Sequence, residues 1–334
     1  MKIAKTSLVV TTLLVPCLLN AQSVPKETLL ALSKRDHTLS IVDPTSLKVL
    51  AKVPVGNDPH EVIASADGKT AFVSNYGGGM YKSLALVDLT GQKALPPVDL
   101  GALRGPHGLT FVGGKTWFTA EAAKSIGSYD PATGKIDWIL GTGQNRTHMI
   151  WVAEDLKRIV TTNVSSGTVS IIEKISVRGP GGSRDDWNQT VVTVGNGSEG
   201  FDVTPDGSEI WVANAQDGTI SIVSAESKKV IQTLAANVSG ANRLKFTPNG
   251  TRALVSSLRD GSVAVFDVAT RREVKRINVG HGAAGIQVQP DGARAFVACS
   301  PDDNVVVIDL KSLEVVGRID VGHEPDGLAW AVIH

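Results

Sequence analysis

The chain has 334 residues, with 33 basic and 33 acidic side chains that cancel and an apolar content of 42%. That balance lacks the basic stripe of a phosphate-backbone binder, so no nucleic-acid partner is expected. Cys17 and Cys299 are the only cysteines, which excludes a disulfide-stapled scaffold and leaves stability to a core that a chain of this length can build.

A leader comes first. Lys2 and Lys5 precede an apolar run over residues 8–19, and Ala21 offers a small-residue cleavage point. Residues 1–21 therefore read as a signal peptide and residues 22–334 as one exported domain, periplasmic or extracellular. The run is too short to cross a bilayer, and no later stretch is long or apolar enough, so no membrane span is expected.

Residues 29–32, 39–43 and 49–55 read as three strands. From there a unit recurs, opening at residues 58–62, 105–109, 146–150, 197–201, 240–244, 281–286 and 324–328. The closing apolar residues Val62, Leu109, Ile150, Phe201, Leu244, Ile286 and Leu328 stand 41 to 51 residues apart. This is the period of a four-stranded propeller blade rather than of a helical repeat. Residues 281–323 show the unit most cleanly, with strands predicted over 285–289, 294–298, 305–309 and 315–321 and turns at Pro290-Asp291-Gly292 and Pro301-Asp302-Asp303. Asp43, Asp88, Asp130, Asp267 and Asp309 each end a third strand, where an aspartate bonds backbone two residues on. Asp67-Gly68, Asp206-Gly207, Asn249-Gly250 and Asp291-Gly292 supply the positive backbone angles of hairpin turns.

The chain ends on a first-strand sequence, residues 327–332, and begins with strands two to four. One blade is thus expected to draw on both termini. The predicted fold is all-β, a single seven-bladed propeller of four-stranded antiparallel blades, closed by pairing of N- and C-terminal strands. One irregularity, residues 176–189 with Trp187, reads as a lengthened turn, either a partner contact or a neutral insertion.

Strand direction then places candidate residues. If first strands start at one face, the channel mouth there is lined by His60, His107, His148, Glu199, Asn242, Ala284 and Asp326. The second-strand ends Ser33, Asn75, Glu121, Asn163, Asn214, Ser257 and Cys299 stand beside them. His37, His281 and His323 fall in turns on the same face. Three histidines with Glu121 and Glu199 have the residue types of a divalent metal site, with His60, His107 and His148 as ligands. A polar lining for a watered channel uses the same residues. Cys299 reads as a ligand or as a small packing residue. Trp117, Trp138, Trp151, Trp211 and Trp330 read as blade packing.

Phe72-Val73-Ser74-Asn75, Trp211-Val212-Ala213-Asn214 and Val160-Thr161-Thr162-Asn163, set in this strand and turn pattern, resemble the signature tetrapeptide of the YVTN-repeat, YncE-like propellers. The resemblance covers nearly the whole expected domain and implies fold far more than function. Pro106-His107-Gly108-Leu109, residues 117–121 and residues 126–134 also resemble repeats of the virginiamycin B lyase family. That likeness implies a metal that polarises an ester carbonyl and a histidine base, with His107 and His148 as catalytic candidates. Residues 242–250 are similar to the sugar-lactone hydrolases, which implies Arg243 as a holder of a carboxylate or phosphate.

There is no phosphate loop, nucleophile elbow or Cys-x-x-Cys-His haem attachment sequence. The leading expectation is a monomeric binding scaffold that holds a small molecule or a protein partner at the channel mouth through Glu121, Glu199, Arg243 and Asp326. The alternative is a metal-dependent lyase or lactonase.

Overall fold

The structure, a computed structural model, describes residues 25–180 and 182–334; the expected leader and Cys17 lie outside them. Seven four-stranded antiparallel sheets form the blades of a propeller. Blade 1 has Pro325–Val332 innermost, then Glu27–Ser33, Thr38–Asp43 and Lys48–Pro54. Blades 2 to 7 follow in chain order, with inner strands Pro59–Ala64, Pro106–Val112, Thr147–Val152, Ser198–Val203, Ala241–Phe246 and Ala283–Val288. Among the described residues no helix is long and apolar enough to cross a membrane; the helices are three single 3-10 turns.

Burial explains the strand sequences. Second strands such as Arg294–Cys299 are covered on both faces and read as unbroken apolar runs, whereas outer strands such as Lys135–Gly141 alternate between half-buried and exposed. Clusters of buried Val, Ile, Leu and Ala fill the spaces between neighbouring blades. The third-strand aspartates act as expected: Asp43 accepts the Thr45 N–H at 2.9 Å and Asp309 the Lys311 N–H at 3.0 Å. Trp211 is fully buried and Trp117 nearly so.

Two details place the channel mouth. The residue before every inner strand is left-handed: Gly105, Gly197, Gly240 and Gly282 at four blades, but Asp58, Arg146 and Glu324 at the others. The second is a bulge. Each inner strand slips in register just after it opens, between Pro59 and Val62 in blade 2, for example, and between Thr147 and Ile150 in blade 4. The extra residue turns side chains that a regular ladder would bury towards the axis.

The lengthened turn expected at residues 176–189 is instead regular structure. Thr168–Gly179 and Gly182–Thr193 pair along their whole length as an extended hairpin. Trp187 lies half-buried against Trp138 of blade 3, ring centroids 5.3 Å apart.

Closure depends on Glu27–Ser33 pairing with Pro325–Val332, from Glu27 opposite Val332 to Ser33 opposite Pro325. A chain cut before Pro325 should lose the cooperative thermal transition and gain protease sensitivity throughout, not only in blade 1. Retention of one sharp transition by circular dichroism would show that the ring stands without its closing strand.

Candidate functional site

Seven bulges deliver seven residues to one rim. His60, His107, His148, Glu199, Asn242, Ala284 and Asp326 line a cavity of about 330 Å³ on the propeller axis, together with Lys34, Tyr76, Arg146 and Arg243. A repeated hydroxyl holds these bulges in place. Thr119 Oγ1 accepts the Gly108 N–H at 2.9 Å and donates to the His148 carbonyl of the next blade at 2.7 Å. Thr162 and Ser256 do the same for Glu199 and Ala284, at 2.7 Å each. Peptide groups that the bulge removes from the ladder are thereby satisfied, and the rim residues His148, Glu199 and Ala284 are each tied to the preceding blade.

Of the residues expected at second-strand ends, only Glu121 reaches the charged cluster, and it stands one residue beyond its strand, which ends at Ala120. Asn163 and Asn214 turn into their own blades, each bonded to a serine hydroxyl at 3.0 Å, and Ser33 bonds the Val321 carbonyl. Cys299 is fully buried, and burial pushes its thiol up to about 12, so it is a packing residue. His281 and His323 stay outside the cavity, each exposed and paired to an aspartate, Asp302 and Asp36, at 2.9 Å.

The histidines converge. Ring centroids of His107 and His148 lie 3.8 Å apart, and those of His60 and His107 5.0 Å. His148 is sandwiched between two carboxylates, its Nδ1 hydrogen-bonded to Glu121 and its Nε2 2.7 Å from Glu199 Oε1, off the line of an aligned hydrogen bond. Burial opposes charge on His148, but Glu199 and Glu121 outweigh it and raise the imidazole to about 9. Burial likewise opposes ionisation of Glu199, yet His148, Arg243 and Arg146 bring it down to about 2. His107 goes the other way. Burial first, then the neighbouring His148 and His60, hold it well below the usual histidine range, so it is neutral, and its buried Nδ1 has no partner.

Around this pair runs a ring of ions. Tyr76 Oη donates to Glu121 Oε2 at 2.5 Å, and Arg146 Nε stands 3.5 Å from the same oxygen. Burial and the Glu121 hydrogen bond push Tyr76 up to about 12. Asp326 pairs with Lys34 at 3.2 Å and His60 at 3.4 Å, and His60 also reaches Asp58 at 3.1 Å.

Arg243 lines the same cavity. It is buried and ion-paired to Glu61 of blade 2, four blades away in chain order, so the pair crosses the channel. Beneath it lies a second chamber of about 140 Å³, and Arg243 lines both. Sequence reasoning missed Glu61, although a signal was present. The position after each rim residue is glycine in blades 1, 3, 5 and 7 and Glu61, Met149 and Arg243 in blades 2, 4 and 6. A Cβ on Gly200 would lie 2.1 Å from the Asn242 carbonyl oxygen, so the glycines are forced by blade contact. The two charged exceptions are the ones that meet.

A metal was expected on His60, His107 and His148. Among the described residues the ligand atoms that come within 4.8 Å of one another belong to His107, Glu121 and His148. His60 is held by its aspartates instead. The unpartnered His107 nitrogen suits an ion, but a divalent cation must displace the proton that two carboxylates hold on His148.

No family profile and no curated protein matches the sequence. Solved structures do. A functionally unknown protein from Desulfotomaculum acetoxidans superposes with a TM-score of 0.74 at 14% identity, over 91% of this chain and 98% of that one. A candidate 6-phosphogluconolactonase from Bacteroides uniformis gives 0.72 at 16%, over 92% and 100%. Kuenenia stuttgartiensis hydrazine synthase gives 0.67 at 16%, over 81% and 89%. At these identities the likeness is one of fold.

The signs of the shifts set a pH profile. His148 binds its proton more tightly when folded, so its contribution is complete below the ordinary 6.5 and is lost as pH rises through about 9. Glu199 contributes fully above its ordinary 4.5 and loses this as pH falls through about 2. His107, kept neutral, costs stability as pH falls below 6.5. Melting temperature should therefore peak near pH 6.5 and decline towards about 9. His148→Gln should flatten the alkaline limb and destabilise by about 3–5 kcal/mol at the peak, since it strands two buried carboxylates. An unchanged alkaline limb in the variant would place the proton elsewhere.

Proposed function

We propose that this chain is an exported propeller of the YVTN-repeat, YncE-like kind whose channel mouth binds a small anionic molecule. One observation carries the reading: in two ion pairs at the rim, the cation is the member that solvent and ligands can reach. The Arg146 side chain is 41% exposed and that of Lys34 27%, whereas their partners Glu121 and Asp326 are only 5% and 8% exposed. Neutral His107, with an unpartnered nitrogen, adds a hydrogen-bonding group that costs an incoming anion no charge repulsion. Backbone conformation supports the assignment. Arg146 has a φ of 56° where four other blades have glycine. Such a conformation costs on the order of 1 kcal/mol or more, and it is retained where the side chain is needed. Export rests on residues 1–21 and a monomeric state on the closed ring.

Isothermal titration with inorganic phosphate, acetate and butyrate should detect binding that weakens as salt rises. Arg146→Gln combined with Lys34→Gln should weaken it at least about tenfold, the loss of one or more charge-assisted hydrogen bonds, while the thermal transition stays cooperative. No binding of any of the three anions, or equal affinity in the double variant, would sink the reading.

A second reading has its own observation, the His107, Glu121 and His148 cluster. With a divalent ion in place of the His148 proton, these residues would hold a Lewis acid able to polarise an ester or lactone carbonyl, and His60 is the remaining imidazole within reach of a substrate proton. Its fold neighbours include a candidate lactonase. Elemental analysis of purified protein should then find near-stoichiometric metal, bound more tightly at higher pH and lost in His107→Ala/His148→Ala. Metal-free protein after reconstitution at about pH 8 would reject this reading and leave the first intact.

A further inference from the structure

Six of the seven rim positions carry a polar or ionisable side chain; the seventh is Ala284. Around it the cavity wall consists of Gly282, Pro301 and Leu258, the last 43% exposed despite its apolar side chain. The one hydroxyl on this wall is already committed, since Ser300 Oγ donates to the Pro325 carbonyl. The cavity is therefore two-sided. Blades 1 to 6 supply Lys34, His60, His107, Arg146, Glu199 and Asn242, the last accepting from Arg243, while blade 7 with Leu258 supplies an apolar recess.

Small residues alone would be unremarked blade packing. What gives the recess meaning is its position opposite an unsatisfied group: His107 is 3% exposed, lines the same cavity, and has a buried Nδ1 with no partner. The floor adds a constraint. The Glu61–Arg243 pair closes the channel below, so a ligand whose head lies by His107 and Arg146 extends sideways, across the mouth, towards Ala284. About 330 Å³ equals roughly eleven water volumes, which sets the size of the occupant at about ten non-hydrogen atoms.

We infer that the channel mouth takes an amphipathic carboxylic acid, its carboxylate at Arg146, Lys34 and His107 and its apolar body against the blade 7 recess, with Ala284 setting how large that body is. This rests on the anion-binding reading above and narrows it to a ligand class. It also explains why a rim otherwise rich in ionisable groups is interrupted at one blade. A polar body would leave its own hydrogen-bonding groups unpaired against this wall, whereas an apolar one loses nothing there.

The test is the dissociation constants of acetate, butyrate, hexanoate and octanoate, measured by isothermal titration at one pH and ionic strength on the wild-type chain and on Ala284→Leu. In the wild type each added methylene should tighten binding, by up to about fourfold when it is fully buried. In Ala284→Leu, which fills the recess, the constants for butyrate and octanoate should converge. If the leucine variant shows no cooperative thermal transition, Ala284→Ser serves instead: it adds a hydroxyl and little volume, and should reduce the gain per methylene. Binding that is independent of chain length in the wild type, or a length dependence that survives in the variant, overturns this inference and leaves the anion site standing. Failure of all four acids to bind overturns both.

Discussion

The bulge at the start of each inner strand is the constraint from which the channel mouth follows. A regular ladder would alternate its side chains between two blade interfaces, and nothing polar would face the axis. The extra residue breaks that alternation once per blade, at the same height. It also removes peptide groups from the ladder, and a buried unpaired group costs about 1–3 kcal/mol. Ser74, Thr119, Thr162 and Ser256 each take up a bulge N–H, and three of them also bond the bulged carbonyl of the next blade. Where this position is apolar, as at Ala213 and Ala298, the blade does without that bond. The rim is thus fixed by main-chain bookkeeping before any ionisable side chain is considered.

On that rim the charges are placed at a cost in stability. Burying ion pairs gains little against well-packed apolar residues of the same size, and often loses. The fold itself does not ask for them: Asn242 and Ala284 hold the same structural position as His148 and Glu199, with the same bulge. Yet Glu199 and Asp326 line one small cavity together with Arg243 and His148, and Glu61 and Glu121 are buried behind it, paired to those same two side chains. Their mutual satisfaction explains how the cluster is tolerated. It does not explain why it is there; the binding role proposed above would. Neutral His107 beside charged His148 shows how finely the environment divides two like groups: two carboxylates contact the His148 ring directly, whereas burial and the charge of His148 itself keep a proton off His107.

Periodicity made the fold legible. The apolar residues that close each opening, the third-strand aspartates and the turn glycines are all local signals, repeated seven times, and each reports a local hydrogen-bonding need. The rim column from His60 to Asp326 was legible for the same reason, because a shared register puts equivalent residues at one height. What lay beyond the sequence was direction. Glu121 stands one residue beyond its strand, since Ala120 pairs with Pro106 where Asn163 pairs with Thr147, and so Glu121 turns to His148 while Asn163 turns into its own blade. Glu61 and Arg243 are 182 residues apart and meet only through the closed ring. The segment at 176–189 was misread because its glycines and charges look like a loop, whereas the long edge strand it forms tolerates charge on solvent-facing positions.

The two ends of the chain bring the site and the fold together. Lys34 follows the N-terminal strand Glu27–Ser33, and Asp326 belongs to the C-terminal strand Pro325–Val332; their ion pair exists only once those strands have paired. Asp326 in turn contacts His60, the first member of the histidine series. An open ring would therefore lack one accessible cation and leave His60 without one of its two carboxylates. Closure is the last and least local step in assembling such a propeller, since it joins segments nearly 300 residues apart. Because a ligand that binds only the closed form stabilises it by mass action, occupancy of the mouth and closure of the ring reinforce each other. The site is thus a property of the finished ring rather than of any blade, and this is why a sequence of seven similar units can carry a single, asymmetric charged rim.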